Sequence, residues 1–210
     1  MLDILFNDPL SFLSLALALL IAVTIHEFAH AWTADKLGDP TPRLANRLTL
    51  NPLAHLDPIG TLALLIARIG WGKPVPIDPY NLKNPRRDTA IISLAGPASN
   101  IILAFLLSLL LKIPLISQSA SWQILISLIY PLILLNVSLA IFNLIPVPPL
   151  DGAKILIGFL PVKWGVKLEE AVSQYGIFLL IFLIFPFFGG ASLVSYIIFP
   201  IINFILNLLL

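Results

Sequence analysis

From Pro9 to Ala34 the chain carries a single charged side chain, Glu27, in an otherwise mostly apolar run. At about 1.5 Å of helical rise per residue, such a run crosses the roughly 30 Å hydrocarbon core of a bilayer. The remaining residues fit that setting. Only 11% are charged and 59% are apolar, where a soluble domain carries about 25% charged residues; that is too little charge to coat a globule of 210 residues. The expected fold class is an all-α integral membrane protein, a polytopic bundle of about five (roughly four to six) transmembrane helices. The leading segment holds Asp3 and Asp8 and no Lys or Arg, the wrong charge for a secretory signal, so the first run is expected to be retained. Cysteine is absent, which excludes disulfides and thiolate chemistry. A net charge of +1 gives no electrostatic case for nucleic acid; the partner medium is the lipid bilayer.

Two more full spans are expected, Thr89 to Leu111 and about Trp122 to Phe142. Between the first and second, residues 35–88 are mixed and proline-rich. The apolar stretch Ile59 to Ile69 is too short to cross and predicts a re-entrant or interfacial segment. Gly70-Trp71-Gly72-Lys73-Pro74-Val75-Pro76 predicts extended chain and turn, so a re-entrant or extended region falls near 51–80. After the third span, Pro146, Pro148 and Pro149 cannot stay in a regular helix; the chain should unwind there and restart near Asp151. Tyr175 to Leu210 is apolar but broken by Pro186, Gly189 and Gly190, as two short spans or one span plus an interfacial helix, with two favoured. All 210 residues are expected to form one membrane domain, with a core over about 10–160 and hydrophobic helices over 175–210. Placing 35–88 in the cytoplasm puts Lys36, Arg43, Arg47, Lys73, Lys83, Arg86, Arg87, Lys154, Lys163 and Lys167 inside and leaves Lys112 outside, a bias that sets topology.

Near the inner end of the first span stands His26-Glu27-Phe28-Ala29-His30. Positions i and i+4 share a helix face, so two imidazoles can grip one Zn²⁺, and Glu27, one residue round from His26, can act as general base on an activated water. This is the H-E-x-x-H arrangement. Ionisable groups in a span cost about 2.5–3.5 kcal/mol each on insertion scales, and a bound cation compensates them; the plainer alternative is a set of buried polar residues bonding neighbouring helices. His26 and His30 lie about 13 and 7 Å along the helix from Asp35, inside the membrane but near the cytoplasmic face. A catalytic zinc site usually has three protein ligands. Asp151 is the candidate third, with a helix N-cap as its alternative reading.

The pairing of that motif with Asn143-Leu144-Ile145-Pro146-Val147-Pro148-Pro149-Leu150-Asp151-Gly152 resembles the site-2 protease family of intramembrane zinc metalloproteases, and Ala95-Gly96-Pro97 with Ser99-Asn100 resembles the family's intervening core helix. The likeness covers roughly residues 10 to 160. It implies a zinc metalloendopeptidase holding one Zn²⁺ per chain on His26, His30 and Asp151, with Glu27 as base. Its substrates would be transmembrane proteins, cut within or near their spans in regulated intramembrane proteolysis. It makes Asn143 a polar group near the cleft that holds substrate backbone or an oxyanion; a helix C-terminal Asn satisfying loose carbonyls is the other reading. No PDZ or CBS domain is recognised, so a minimal core is expected, in a bacterial-type plasma membrane. Competing readings are a membrane zinc transporter, a non-proteolytic scaffold, and a zinc hydrolase of prenyl-protein or lipid substrates.

The other polar residues have plainer expectations. His55 is a loop histidine at the interface, or one that covers the site or fills the zinc's open position. Asp57 is a turn residue before Pro58, and Arg68 snorkels to head groups. Trp71, Tyr80 and Trp164 are interfacial aromatics. Lys163, Lys167, Glu169 and Glu170 form a solvated face.

Overall fold

The computed structural model describes residues 6–67, 70–113, 120–185 and 192–210; the side chains of residues 67 and 120–124 are outside that description. Arg68 and the break at Pro186, Gly189 and Gly190 therefore fall outside the described residues. Helix α1 (Pro9–Leu37) starts on Asp8, whose side chain accepts the Ser11 N–H, with Pro9 at the first turn. It runs past Ala34 because its stop signal is Gly38, whose φ of 109° lies in the left-handed region that closes helices and favours glycine. Its buried positions are small or polar (Ala18, Ala22, Thr24, His26, His30, Ala31, Ala34), while Leu10, Leu13, Leu17 and Ile21 are exposed. That inversion suits a helix whose outward medium is lipid, since small inward residues let helices approach closely.

Beyond Gly38, Asp39 is fully buried and gathers the loop. Its carboxylate accepts from the Thr41 N–H and hydroxyl, the Asp78 N–H and the Asn81 amide. Burial pushes this carboxyl up, but the donors on Thr41, Asn81 and Asp78 outweigh it and hold it below the ordinary carboxylate range. The short apolar stretch forms α2 (Pro58–Ala67), with Asp57 accepting the Gly60 N–H at 2.7 Å. Leu56 and Gly72 pair in an antiparallel bridge, so the chain leaves this excursion where it began, as a re-entrant element must. Gly60 backs onto the Trp71 carbonyl, too near for any Cβ.

Helix α3 (Pro85–Leu111) is central and packs on α1, on α4 (Ala120–Asn143) and on α5 (Asp151–Phe159). His26 lies against Asn100 and His30 against Ile92. Contacts that descend α3 as they climb α1 make the two helices antiparallel. Ala104, Ile129, Ile133, Val137, Ile198, Ile202 and Leu206 form a core between α3, α4 and α7 (Leu193–Leu209). Helices α1, α3 and the Leu125–Asn143 part of α4 are long and apolar enough to cross a membrane, and α7 is a shorter apolar helix. Helix α6 (Val162–Ile184) opens with exposed Lys163, Trp164, Lys167, Glu169 and Glu170, the Lys167 ammonium 5.8 Å from the Trp164 ring centroid. Trp71 and Tyr80 are also exposed. Among the described residues the fold is all-helical, that of a multi-pass membrane protein.

The Pro-rich stretch interrupts the helices as expected: α4 ends at Asn143 and α5 begins at Asp151, with a cis peptide at Pro148-Pro149. Gly152 sits against the Leu144 and Ile145 carbonyls, where no Cβ fits. This is why Gly follows Asp151. A Gly152→Ala change should prise α5 from the end of α4 and destabilise the protein by about 1–3 kcal/mol, read as a lowered thermal midpoint in detergent. An unchanged midpoint would refute the close-approach account.

Candidate active site

Three side chains from distant parts of the chain meet against α3, at the level of Gly96. The His26 Nε2 is 3.1 Å and the His30 Nε2 3.2 Å from one oxygen of Asp151, Oδ2. The rings stand nearly perpendicular, 88° apart, with centroids separated by 4.6 Å. The i, i+4 spacing on α1 supplies the pair, and the restart of the chain after the Pro-rich break supplies the carboxylate. Asp151 is not the cap of α5: Leu150 holds that position, and no side chain caps the helix there. Gly96 gives the imidazoles their room. A Cβ at that position would stand 2.5 Å from His30 Nε2 and 2.7 Å from His26 Cε1.

The far side of each ring fixes its chemistry. His30 Nδ1 lies 2.7 Å from the Ile92 carbonyl, which only accepts, so this nitrogen carries the proton. His26 Nδ1 lies 2.7 Å from Asn100 Oδ1. The Asn100 amide cannot be turned over, because its Nδ2 donates to the Ala22 carbonyl at 2.9 Å and to Asn136 Oδ1 at 2.7 Å. Asn136 is fixed in turn by donation to the Leu132 carbonyl. Both histidines then hold their protons on Nδ1, leaving Nε2 lone pairs directed at an acidic oxygen. Three electron-rich atoms converging in a buried site repel one another unless a cation sits among them. The donor set, two imidazole nitrogens and a carboxylate with the outer nitrogens hydrogen-bonded, fits a divalent metal of the zinc type. It is the one three-residue grouping of this kind among the described residues.

Asn100 is thus a positioning group for His26. Asn100→Leu should weaken metal binding by roughly 10–100-fold in a chelator competition. Ser99→Ala should have a much smaller effect, since the Ser99 hydroxyl bonds the Gly96 carbonyl at 2.7 Å and reaches the Ile25 carbonyl only at 3.5 Å, touching neither imidazole. Equal affinities for wild type and Asn100→Leu would remove that role. Asn136 was not singled out from the sequence. The available signal was a carboxamide midway along an apolar span, a placement that needs a partner.

Glu27 is half-buried, and its Oε2 accepts the Val75 N–H at 3.2 Å. The predicted extended segment therefore lies directly over the base candidate. Asn143 ends α4, half-buried, and donates to its own helix at the Leu139 carbonyl, 3.0 Å away. His55 is fully buried in the loop and does not join the cluster; its Nε2 donates to the Thr49 carbonyl at 2.8 Å.

A bundle that brings an H-E-x-x-H helix face and an Asp-Gly helix start together inside apolar spans defines a membrane metallopeptidase class. The chain belongs to Peptidase family M50, the site-2 protease family, whose profile matches residues 14–116 and 107–185. It is 38% identical over 200 residues to YwhC of Bacillus subtilis, named as a candidate zinc metalloprotease, covering 93% of this chain and 89% of that one. It is 32% identical over 180 residues to Rip2 of Mycobacterium tuberculosis, named likewise, covering 81% of this chain and 66% of Rip2. A zinc metalloprotease of Methanocaldococcus jannaschii is 30% identical over 174 residues, covering 81% of this chain and 41% of its own length. No solved structure matches the chain.

Proposed function

We propose that this protein is a zinc-dependent endopeptidase that hydrolyses peptide bonds in or near the transmembrane segments of other membrane proteins. The observation that carries the reading is the convergence of His26 and His30 Nε2 on Asp151 Oδ2, beside a carboxylate free of the metal-binding set. In this reading His26, His30 and Asp151 hold one Zn²⁺. When bound, the ion supplies Lewis-acid polarisation of the scissile carbonyl and of the attacking water. Glu27 takes the proton of that water and returns it to the departing amine. With Glu27 Oε2 held by the Val75 N–H, the other oxygen is the one that moves the proton. Asn143, turned from the Leu139 carbonyl to the cleft, offers an amide donor to substrate backbone or oxyanion.

A substrate helix shields its own amides, so it must unwind before cleavage. The Pro146–Pro149 segment would receive it in extended form, since the backbone groups of Lys73, the Pro74 carbonyl and the Val75 N–H are already bonded. The distribution of Lys and Arg favours a cytoplasmic position for the site end of the bundle, in a bacterial-type plasma membrane, with water arriving from that side.

The test is cleavage of a model transmembrane peptide by purified protein in detergent. Cleavage should stop with chelator and return with added zinc, with one ion bound per chain. Cleavage that persists in chelator would overturn the assignment, as would zinc transport in vesicles without cleavage.

A further inference from the structure

Arg47 is a cation with nearly all of its surface covered, 5% exposed, and it makes no direct ion pair among the described residues; the carboxylate whose charge reaches it is Glu27. It spends its hydrogen bonds on backbone. Its Nη1 donates to the Pro74 carbonyl at 3.1 Å and its Nη2 to the Lys73 carbonyl. The same Nη2 lies 3.4 Å from His55 Nδ1. Because His55 Nε2 donates to Thr49, Nδ1 presents its lone pair to the guanidinium. His55 also accepts the Lys73 N–H on its carbonyl, at 2.8 Å. Both faces of the Lys73 peptide and the Pro74 carbonyl are therefore taken by the loop. Pro74 and Pro76 have no N–H to give, which leaves Val75 as the residue whose amide points elsewhere, onto Glu27 Oε2.

We propose that Arg47 is a positioning residue for catalysis: by clamping the Lys73 and Pro74 carbonyls it holds the Val75 N–H on Glu27 and so orients the base. This rests on the reading of Glu27 as general base. The guanidinium suits the task because a planar fork can serve several acceptors at fixed angles, which an ammonium cannot. Pro at 74 and 76 stiffens the strip between the clamp and the carboxylate.

The test uses the full chain in detergent. Val75→Pro removes the amide donor in a strip already flanked by Pro74 and Pro76, and Val75→Ala keeps it. Val75→Pro should lower kcat on the model peptide by on the order of tenfold or more, a fraction of the 10²–10⁴ a general base supplies. Bound zinc should stay near wild type, and Val75→Ala, which keeps the donor, should lose clearly less of kcat than Val75→Pro. Arg47→Leu should reproduce the kcat loss and Arg47→Lys should recover part of it. A second readout needs no activity. The chain lacks cysteine, so a Val75→Cys reporter can be alkylated alone, and its rate should rise about tenfold or more when Arg47→Leu releases the strip. Equal kcat for Val75→Pro and Val75→Ala, or an alkylation rate indifferent to Arg47→Leu, would overturn the proposal. Full activity in Glu27→Gln would instead remove the base assignment and the proposal with it.

Discussion

Glu27→Gln should abolish cleavage, by about 10²–10⁴-fold or more, while leaving the metal in place. Glutamine keeps the shape of the side chain and can still accept the Val75 N–H through its amide oxygen, so the fold around α1 should not change. What it loses is the capacity to take a proton. His26, His30 and Asp151 are untouched, so one zinc per chain should still be found by metal analysis. This split between binding and turnover separates a hydrolase from a metal carrier. A variant that cleaves as well as wild type would show that the carboxylate has no part in the reaction. A variant that loses the metal would show that Glu27 belongs to the ligand set.

The second large effect should come from one methyl group. Gly96→Ala places a Cβ 2.5 Å from His30 Nε2 and 2.7 Å from His26 Cε1, far inside van der Waals contact. Neither ring can yield easily. His30 is tied to the Ile92 carbonyl and His26 to Asn100, and both ride on one rigid helix. We expect metal affinity to fall by about 100-fold or more, beyond the effect of losing one outer hydrogen bond, with cleavage falling alongside. Helicity by circular dichroism should be preserved, since alanine is a better helix former than glycine. Metal affinity equal to wild type would mean that the rings do not sit against α3 as described.

Much of this arrangement was legible because it is local. The i, i+4 spacing of His26 and His30 and the ban on helix at Pro146, Pro148 and Pro149 follow from covalent geometry. The shortness of the Ile59 to Ile69 stretch was equally plain, and its residues 59–67 lie in α2. Span ends were less legible: α1 continues past Ala34 through Asp35 and Lys36 because polar residues can extend a helix into the interface until Gly38 ends it. The meeting of Asp151 with the histidines had a spacing argument and a family resemblance behind it, and each left the contact to be seen. What had no sequence period at all was the outer layer. Asn136 reaches His26 only through Asn100, across three helices, and nothing in the spacing of 26, 100 and 136 announces it. Arg47 read as one of many cytoplasmic positive charges; that it is buried and bonded to the backbone of residues 73 and 74 depends on how the loop folds over the site. His55 likewise proved to be part of that bracing, away from the cluster.

The run of carboxamides has a mechanical corollary for how the bundle can open. Ala22, Asn100 and Asn136 stitch α1, α3 and α4 to one another at a single level, and in hydrocarbon each severed amide would forfeit several kcal/mol with no solvent to replace its partner. A guest helix prying along those seams meets that resistance. Between α4 and α7 lies a cleft of about 350 Å³ lined mainly by apolar side chains, among them Leu135, Leu139, Ile198, Phe199 and Ile202, with Ser138, Ser192 and Ser195, and lipid tails or an arriving apolar helix can exchange for the apolar contacts at little loss. The pliable edge of the molecule is thus the one facing α7.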